Sequence, residues 1–203
     1  MAFALPTCPP AVEYDIRLDT LRAENSPPLG GPDSRFPRLG SRHICEVLLE
    51  NMTAAQAMIW QNRLMSEDET VVWNIPTRGL VIGSPGTPQV NGDGQTGSTL
   101  SIKGLTPGYV VAENQYLPVQ TSGRIYFYKA RGPATANGSG IASVPLNCII
   151  RAPHSNNDTI LMAAPVIEGF VVAGSVSGLG IKRRRLNNQG LVEGVRFTIR
   201  EVR

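Results

Sequence analysis

Residues 88–105, PQVNGDGQTGSTLSIKGL, constrain what this chain can fold into more than any other stretch. Asn91-Gly92-Asp93-Gly94 supplies residues that tolerate positive φ at a tight turn. Gln95-Thr96-Gly97-Ser98 forms a second polar, glycine-bearing turn, and the short runs 99–102 and 109–111 read as strands. The stretch marks the start of a small all-β module. It also divides the chain: residues before 84 and after 163 read as two parts of one domain, and the segment between reads as inserted.

Composition agrees with a β protein. The 203 residues include 21 Gly and 16 Pro, and only 17% are charged, below the usual quarter. Many turn-formers between short apolar runs favour strands over helices. The length suffices for one large or two small domains with ample core. The net charge of +3 is small and could come mostly from Lys182-Arg183-Arg184-Arg185, which gives no support for a general nucleic-acid surface. The opening MAFALPTCPP lacks the basic region of a targeting signal, and no run approaches a membrane span. Cys8, Cys45 and Cys148 have no close spacing and fit buried thiols in a reducing compartment. The three N-glycosylation triplets are then chance matches.

In chain order, residues 1–42 hold seven of the sixteen prolines and read as an extended arm with one strand at 12–18. Residues 24–40 of the arm are expected to be irregular, either a disordered tail or a segment that lies on a neighbouring subunit. Residues 43–50 alternate Cys45, Val47 and Leu49 on one face. A capping box, Thr53-x-x-Gln56, then opens a helix to about Met65. At 100° per residue, Ala54, Ala57, Met58, Trp60, Leu64 and Met65 fall on one stripe, with Ile59 opposite. Strands are expected at 70–76 and 80–83. In the insert, 116–119 and 124–129 flank the turn Thr121-Ser122-Gly123. Residues 141–150 form a strand that Pro145 restricts to an edge or a bulge. Five or six short strands in this segment suit a small OB-like barrel. After 165, strands are expected at 170–172 and 195–200, the latter alternating Val195, Phe197 and Ile199 inward and central to the outer core.

Motifs for chemistry are absent from this reading. The two histidines, His43 and His154, lie in different expected domains, and no Cys or His pair has metal spacing. Glu67-Asp68-Glu69 reads as a solvated loop. Tyr126 and Tyr128, on one face of a strand, form a possible stacking platform for sugars or bases, although packing is the plainer role.

The order of parts resembles the short distal tail proteins of long-tailed bacteriophages. The likeness rests on MTAAQAMIWQNRLM, NGDGQTGSTLSI, LPVQTSGRIYFYKA, PVIEGFVV and LNNQGLVEGVRFTIREVR, and covers about residues 43–203. It implies a mainly β chain: an outer β-barrel or sandwich domain with one α-helix (1–83 with 164–203), and an inserted OB-like barrel (84–163). Because both flanks of the insert read as outer-domain strands, its removal is expected to leave the outer domain folded. The resemblance also implies a homo-oligomer, a six-subunit ring at the virion tail tip, contacting tail-tube and hub proteins. No enzyme activity, cofactor, metal or membrane is implied, and genomic DNA is only a passing contact. The arm and the run 182–185 depart from the family pattern. Ile59 and Arg63 are the subunit-interface candidates, and Lys182, Arg183, Arg184 and Arg185 the partner-contact candidates. Alternative readings are a carbohydrate-binding tail module, using Tyr126 and Tyr128 on host glycans, and an OB-type nucleic-acid binder.

Overall fold

Turn-formers divide the chain so finely that no described strand exceeds nine residues. The computed structural model describes residues 2–9, 11–21, 23–26, 28, 30–36, 40–65, 69–178, 191–192 and 194–202. The fold is mainly β, with a single helix among the described residues. The first part comprises β1 (Phe3–Ala4), β2 (Ala11–Asp19), β3 (Ala23–Asn25), β4 (Ser34–Phe36), β5 (Arg42–Glu50), β6 (Met52–Thr53), α1 (Ala54–Leu64) and β7 (Val71–Asn74). Then follow β8 (Gly86–Val90), β9 (Thr99–Leu105), β10 (Val110–Val111), β11 (Val119–Thr121), β12 (Arg124–Tyr126), β13 (Ala134–Thr135), β14 (Ala142–Pro145) and β15 (Thr159–Ile160). The chain closes with β16 (Val166–Val171), β17 (Leu191–Val192) and β18 (Val195–Glu201).

The first sheet has the order β1-β7-β16-β18-β5-β2. Strict alternation places Val195, Phe197 and Ile199 of β18 on the same buried face as Cys45, Val47 and Leu49 of β5. β18 is central in the sheet order, as the alternation of Val195, Phe197 and Ile199 indicates. The capping box forms: Thr53 Oγ1 accepts the Gln56 N–H at 3.3 Å, and Gln56 Oε1 accepts the Thr53 N–H at 3.0 Å. The helix buries Ala57, Trp60 and Leu64, with the Trp60 and Phe197 rings 5.7 Å apart.

The expected stripe on α1 is too wide. Met58 and Met65 are each 60% exposed. They lie about 80–100° round the helix from Ala57, outside the narrow line along which it meets the sheet. Residues 80–83 are not a strand either. Gly79 and Gly83 take positive φ and break the extended run, and Val81 is exposed. Within the arm, β3 and β4 pair with each other and, among the described residues, with no other strand, so part of the expected irregular segment is a hairpin.

The second sheet has the order β12-β11-β15-β8-β9-β14 and arises wholly between β7 and β16, which are hydrogen-bonded neighbours in the first sheet. The glycine-rich loop between β8 and β9 is held by Gln95. Its Nε2 donates to Asn91 O at 2.8 Å, and its Oε1 accepts the Ser101 N–H at 2.6 Å. Gly104 takes φ +75° beside the irregularity in that pair, where a Cβ would overlap the Thr87 carbonyl oxygen. The expected strand 141–150 is shorter, and β14 lies at the sheet edge with Pro145 as its last residue. The sheet curls until its edges meet. Ala130, beyond β12, bridges Leu146, beyond β14, and the Arg131 N–H donates to Pro145 O at 2.8 Å. The enclosed core includes Val90, Leu100, Ile102, Val119, Tyr128, Val144 and Ile160.

Candidate functional site

The inward register of β18 does not end at Ile199. Its next inward residue is Glu201, a carboxylate delivered into the interior between the two cores. A buried charge persists only if it is paired and hydrogen-bonded. Glu201 Oε2 accepts from His43 N at 3.0 Å and from His43 Nδ1 at 3.3 Å. Oε1 accepts from Phe127 N at 2.7 Å and from Arg151 Nη2. Arg151 Nη2 also donates to Phe127 O at 2.9 Å. Burial alone pushes the Glu201 carboxyl up, but the hydrogen bond from His43 and the charge of Arg151 outweigh it and hold the group below its ordinary range. Burial pushes His43 down, and Glu201 only partly opposes it, so the imidazole is neutral at pH 7. The arrangement fits a proton on Nδ1 donating to Glu201, with Nε2 accepting from Asn147 Nδ2 at 3.4 Å.

A second buried carboxylate repeats the device one strand away. Glu168 of β16 accepts the Ile125 N–H at 2.8 Å and the Thr70 hydroxyl at 3.4 Å. Glu168 and Glu201 therefore hold alternate N–H groups of one passing segment. That segment then sends successive side chains to opposite sides: Phe127 into the first core and Tyr128 into the second.

Tyr128 leads to the other buried histidine. Its hydroxyl lies 2.9 Å from His154 Nε2 and accepts the Arg151 N–H at 3.2 Å. His154 Nδ1 lies 2.7 Å from Thr121 Oγ1, which donates to Asp158 Oδ2 at 2.5 Å. Burial lowers the His154 pKa to about 4, partly opposed by Asp158. The order of groups decides what this chain of bonds can do. A nucleophilic hydroxyl must give its proton to the histidine. Here the hydroxyl stands between histidine and carboxylate, its proton directed at Asp158, while Tyr128 occupies the other ring nitrogen. At His43 the free nitrogen meets an amide. The hydroxyl that does face a ring nitrogen, Tyr128 at His154 Nε2, belongs to a side chain with no exposed surface. The geometry suits holding two sheets together.

The residues singled out in the sequence fall apart in space. Ile59 is 54% exposed, on the side of α1 away from the core. Arg63 is half-buried, its guanidinium 3.9 Å above the Phe3 ring. Tyr126 is half-buried, packed against the second core with its ring 5.6 Å from that of His154. Tyr128 is fully buried and offers no face to a ligand. A strand passing between two cores has both faces covered, so Tyr128 leaves the expected stacking platform. Lys182, Arg183, Arg184 and Arg185 lie outside the described residues, as do Glu67 and Asp68.

Sequence reasoning missed Glu201, Glu168, Arg151 and the pairing of His43. One signal was readable: an acid at the inward parity of an otherwise apolar strand. Among the described residues, no group of three or more His, Cys, Asp or Glu side chains could hold a metal ion. No described helix is long and apolar enough to cross a membrane. Neither comparison, with protein-family models or with curated proteins, finds a match for this chain.

Proposed function

We propose that the protein is a structural component of a long-tailed bacteriophage tail tip, a distal tail protein whose copies form a ring between tail tube and tip. The observation that carries this reading is the excursion between β7 and β16. A curled second sheet rises from between two paired strands of the first, which is the order of parts in the family that the sequence resembles. On this reading residues 1–83 with 164–203 form the ring-building domain, and 84–163 the module it carries. The buried carboxylates support a load-bearing role, because they clamp the module to the ring-building sheet instead of leaving it on a tether.

A ring follows when a heterologous contact closes by rotation, so that each copy offers the same docking edges to the tube above and the hub below. Light scattering after gel filtration tests this directly. The expected mass is about six times the 21.8 kDa chain, with ring-shaped particles in negative-stain images. Ile59→Asp is expected to yield a folded monomer, since it would strand a carboxylate in an apolar contact. A wild-type chain that stays monomeric at every concentration would overturn the reading.

A further inference from the structure

The hydrogen bonds around His154 run in one direction. Asp158 Oδ2 is a carboxylate oxygen and can only accept, so the single proton of Thr121 Oγ1 goes to it at 2.5 Å. Thr121 Oγ1 then has no proton for the histidine and must accept from it at 2.7 Å, which places a proton on Nδ1. A neutral ring leaves Nε2 bare. The Tyr128 hydroxyl therefore donates to Nε2 at 2.9 Å while accepting the Arg151 N–H at 3.2 Å.

The same histidine anchors two turns, residues 91–94 and 155–158. Its carbonyl oxygen accepts the Gly94 N–H at 2.8 Å. The turns also hold each other: the Gly92 N–H donates to Asn156 Oδ1 at 3.0 Å, and the Asn156 N–H to Asp93 Oδ1 at 2.6 Å. Lys103 Nζ donates to Asn156 Oδ1 at 2.6 Å, and the Ser155 N–H to Asp158 Oδ2 at 2.7 Å. Gly92, Asp93, Gly94, Ser155 and Asn156 are exposed, whereas His154 is buried.

We propose that His154 is an acid-released latch: while neutral it holds the turns 91–94 and 155–158 together, and a second proton on its ring parts them while both cores stay folded. That proton must sit on Nε2, where it meets the proton of the Tyr128 hydroxyl. The hydroxyl can turn its proton away only by losing its acceptor, since it has no other among the described residues. The groups that face the ring are Thr121, Tyr126, Tyr128, Arg151 and Asp158, with Asp93 and Lys103 on the strands and turn beyond. Burial opposes the added charge most. Asp158 favours it and Arg151 opposes it, and the ring is held down to about 4. An imidazole in water titrates near 6.5. The closed turns are therefore fully favoured above about pH 6.5 and less favoured as pH falls below it. Parting the turns frees Asp93, Asn156 and Lys103, whose polar atoms now satisfy one another, for other contacts. The latch lies within one chain and is independent of ring assembly.

NMR on the full chain tests this. At pH 7 the His154 ring is expected to carry its proton on Nδ1, and the opposite tautomer would overturn the inference. From pH 7 to 5, a window above the ordinary carboxyl value of about 4, protection of the Gly92, Gly94 and Asn156 N–H groups against hydrogen exchange is expected to fall about twentyfold. Amides of β9 and β18 are expected to keep theirs. Protection at the turns that does not change, or that falls equally in β9 and β18, would overturn the latch. His154→Gln, its folding checked by circular dichroism, is expected to abolish the fall, and the same fall in that folded variant would overturn it too. Should the variant not fold, the tautomer and the wild-type exchange decide by themselves.

Discussion

The Glu201 carboxylate accepts the Phe127 N–H at 2.7 Å, and so ties the last strand of the first sheet to the segment that enters the second. The same oxygen takes Arg151, and the other takes His43. Removing one partner of such a group leaves the other charge buried and uncompensated. Glu201→Gln keeps the shape but strands the Arg151 guanidinium, so a loss of about 3–5 kcal/mol is expected in urea unfolding. Arg151→Met should cost a similar amount. The double variant should cost clearly less than the two together, because neither charge is then left alone. Additive losses would show that the two side chains do not act as a pair.

Acid should loosen the same region, through three groups acting in one direction. Glu201 is depressed in the folded state, so its contribution is present above the unfolded carboxyl range and is lost as pH falls through the folded value. His43 and His154 are also depressed, so the folded state prefers them neutral. Their contribution is complete above the unfolded imidazole value of about 6.5 and falls as pH drops below it. For His154, whose folded value is about 4, the loss by pH 4 is on the order of 3 kcal/mol. Melting temperatures from pH 7.5 to 4 should fall steadily, and His154→Gln should flatten part of the slope between 6.5 and 4. An unchanged slope in that variant would assign the acid sensitivity elsewhere.

Much of the first sheet is legible in the sequence because its cause is local. The alternation of Val195, Phe197 and Ile199 and the Thr53–Gln56 box each specify their own structure. The misread residues depend on what lies opposite. Met58 and Met65 are apolar, but the sheet meets α1 along a line too narrow to reach them. Phe127 and Tyr128 look like two faces of an edge strand, yet a core covers each. Glu201 can be read as an inward acid, but His43 is 158 residues away and Arg151 is 50. No local pattern announces such partners.

Phe127 and Tyr128 should respond to truncation in different ways. Phe127→Ala empties a ring-sized space in the first core beside His43 and Tyr116, whose rings lie 5.0 and 5.3 Å away. A loss of about 3–5 kcal/mol is expected. Tyr128→Phe keeps the ring but leaves His154 Nε2 and the Arg151 N–H without the hydroxyl, at about 1–3 kcal/mol. Tyr126→Ala should cost less than Phe127→Ala, since its ring is only half-buried. Urea unfolding of the three variants gives the ranking, and a Tyr128→Phe chain as stable as wild type would mean that water replaces the hydroxyl.

Excision of the module is the sharpest test of how the two sheets depend on one another. The sequence alone leads one to expect that 84–163 can be replaced by a short Gly/Ser linker, because both flanks of the insert read as outer-domain strands and the ends of an inserted domain lie close together. The junction changes that expectation. Excision removes Phe127 from the first core, together with Ile125, Arg151 and Asn147 from the polar contacts. Of their partners among the described residues, Glu201 then keeps His43, and Glu168 keeps Thr70. Two carboxylates with so few donors in an apolar setting should prevent folding. The simple deletion is therefore expected to lack a cooperative melt. The same deletion carrying Glu168→Leu and Glu201→Leu restores apolar residues at both positions and should recover one. A simple deletion that melts cooperatively would show that the buried carboxylates do not couple the sheets. Failure of the doubly substituted chain as well would mean that the first sheet needs more from the module than the partners of Glu168 and Glu201.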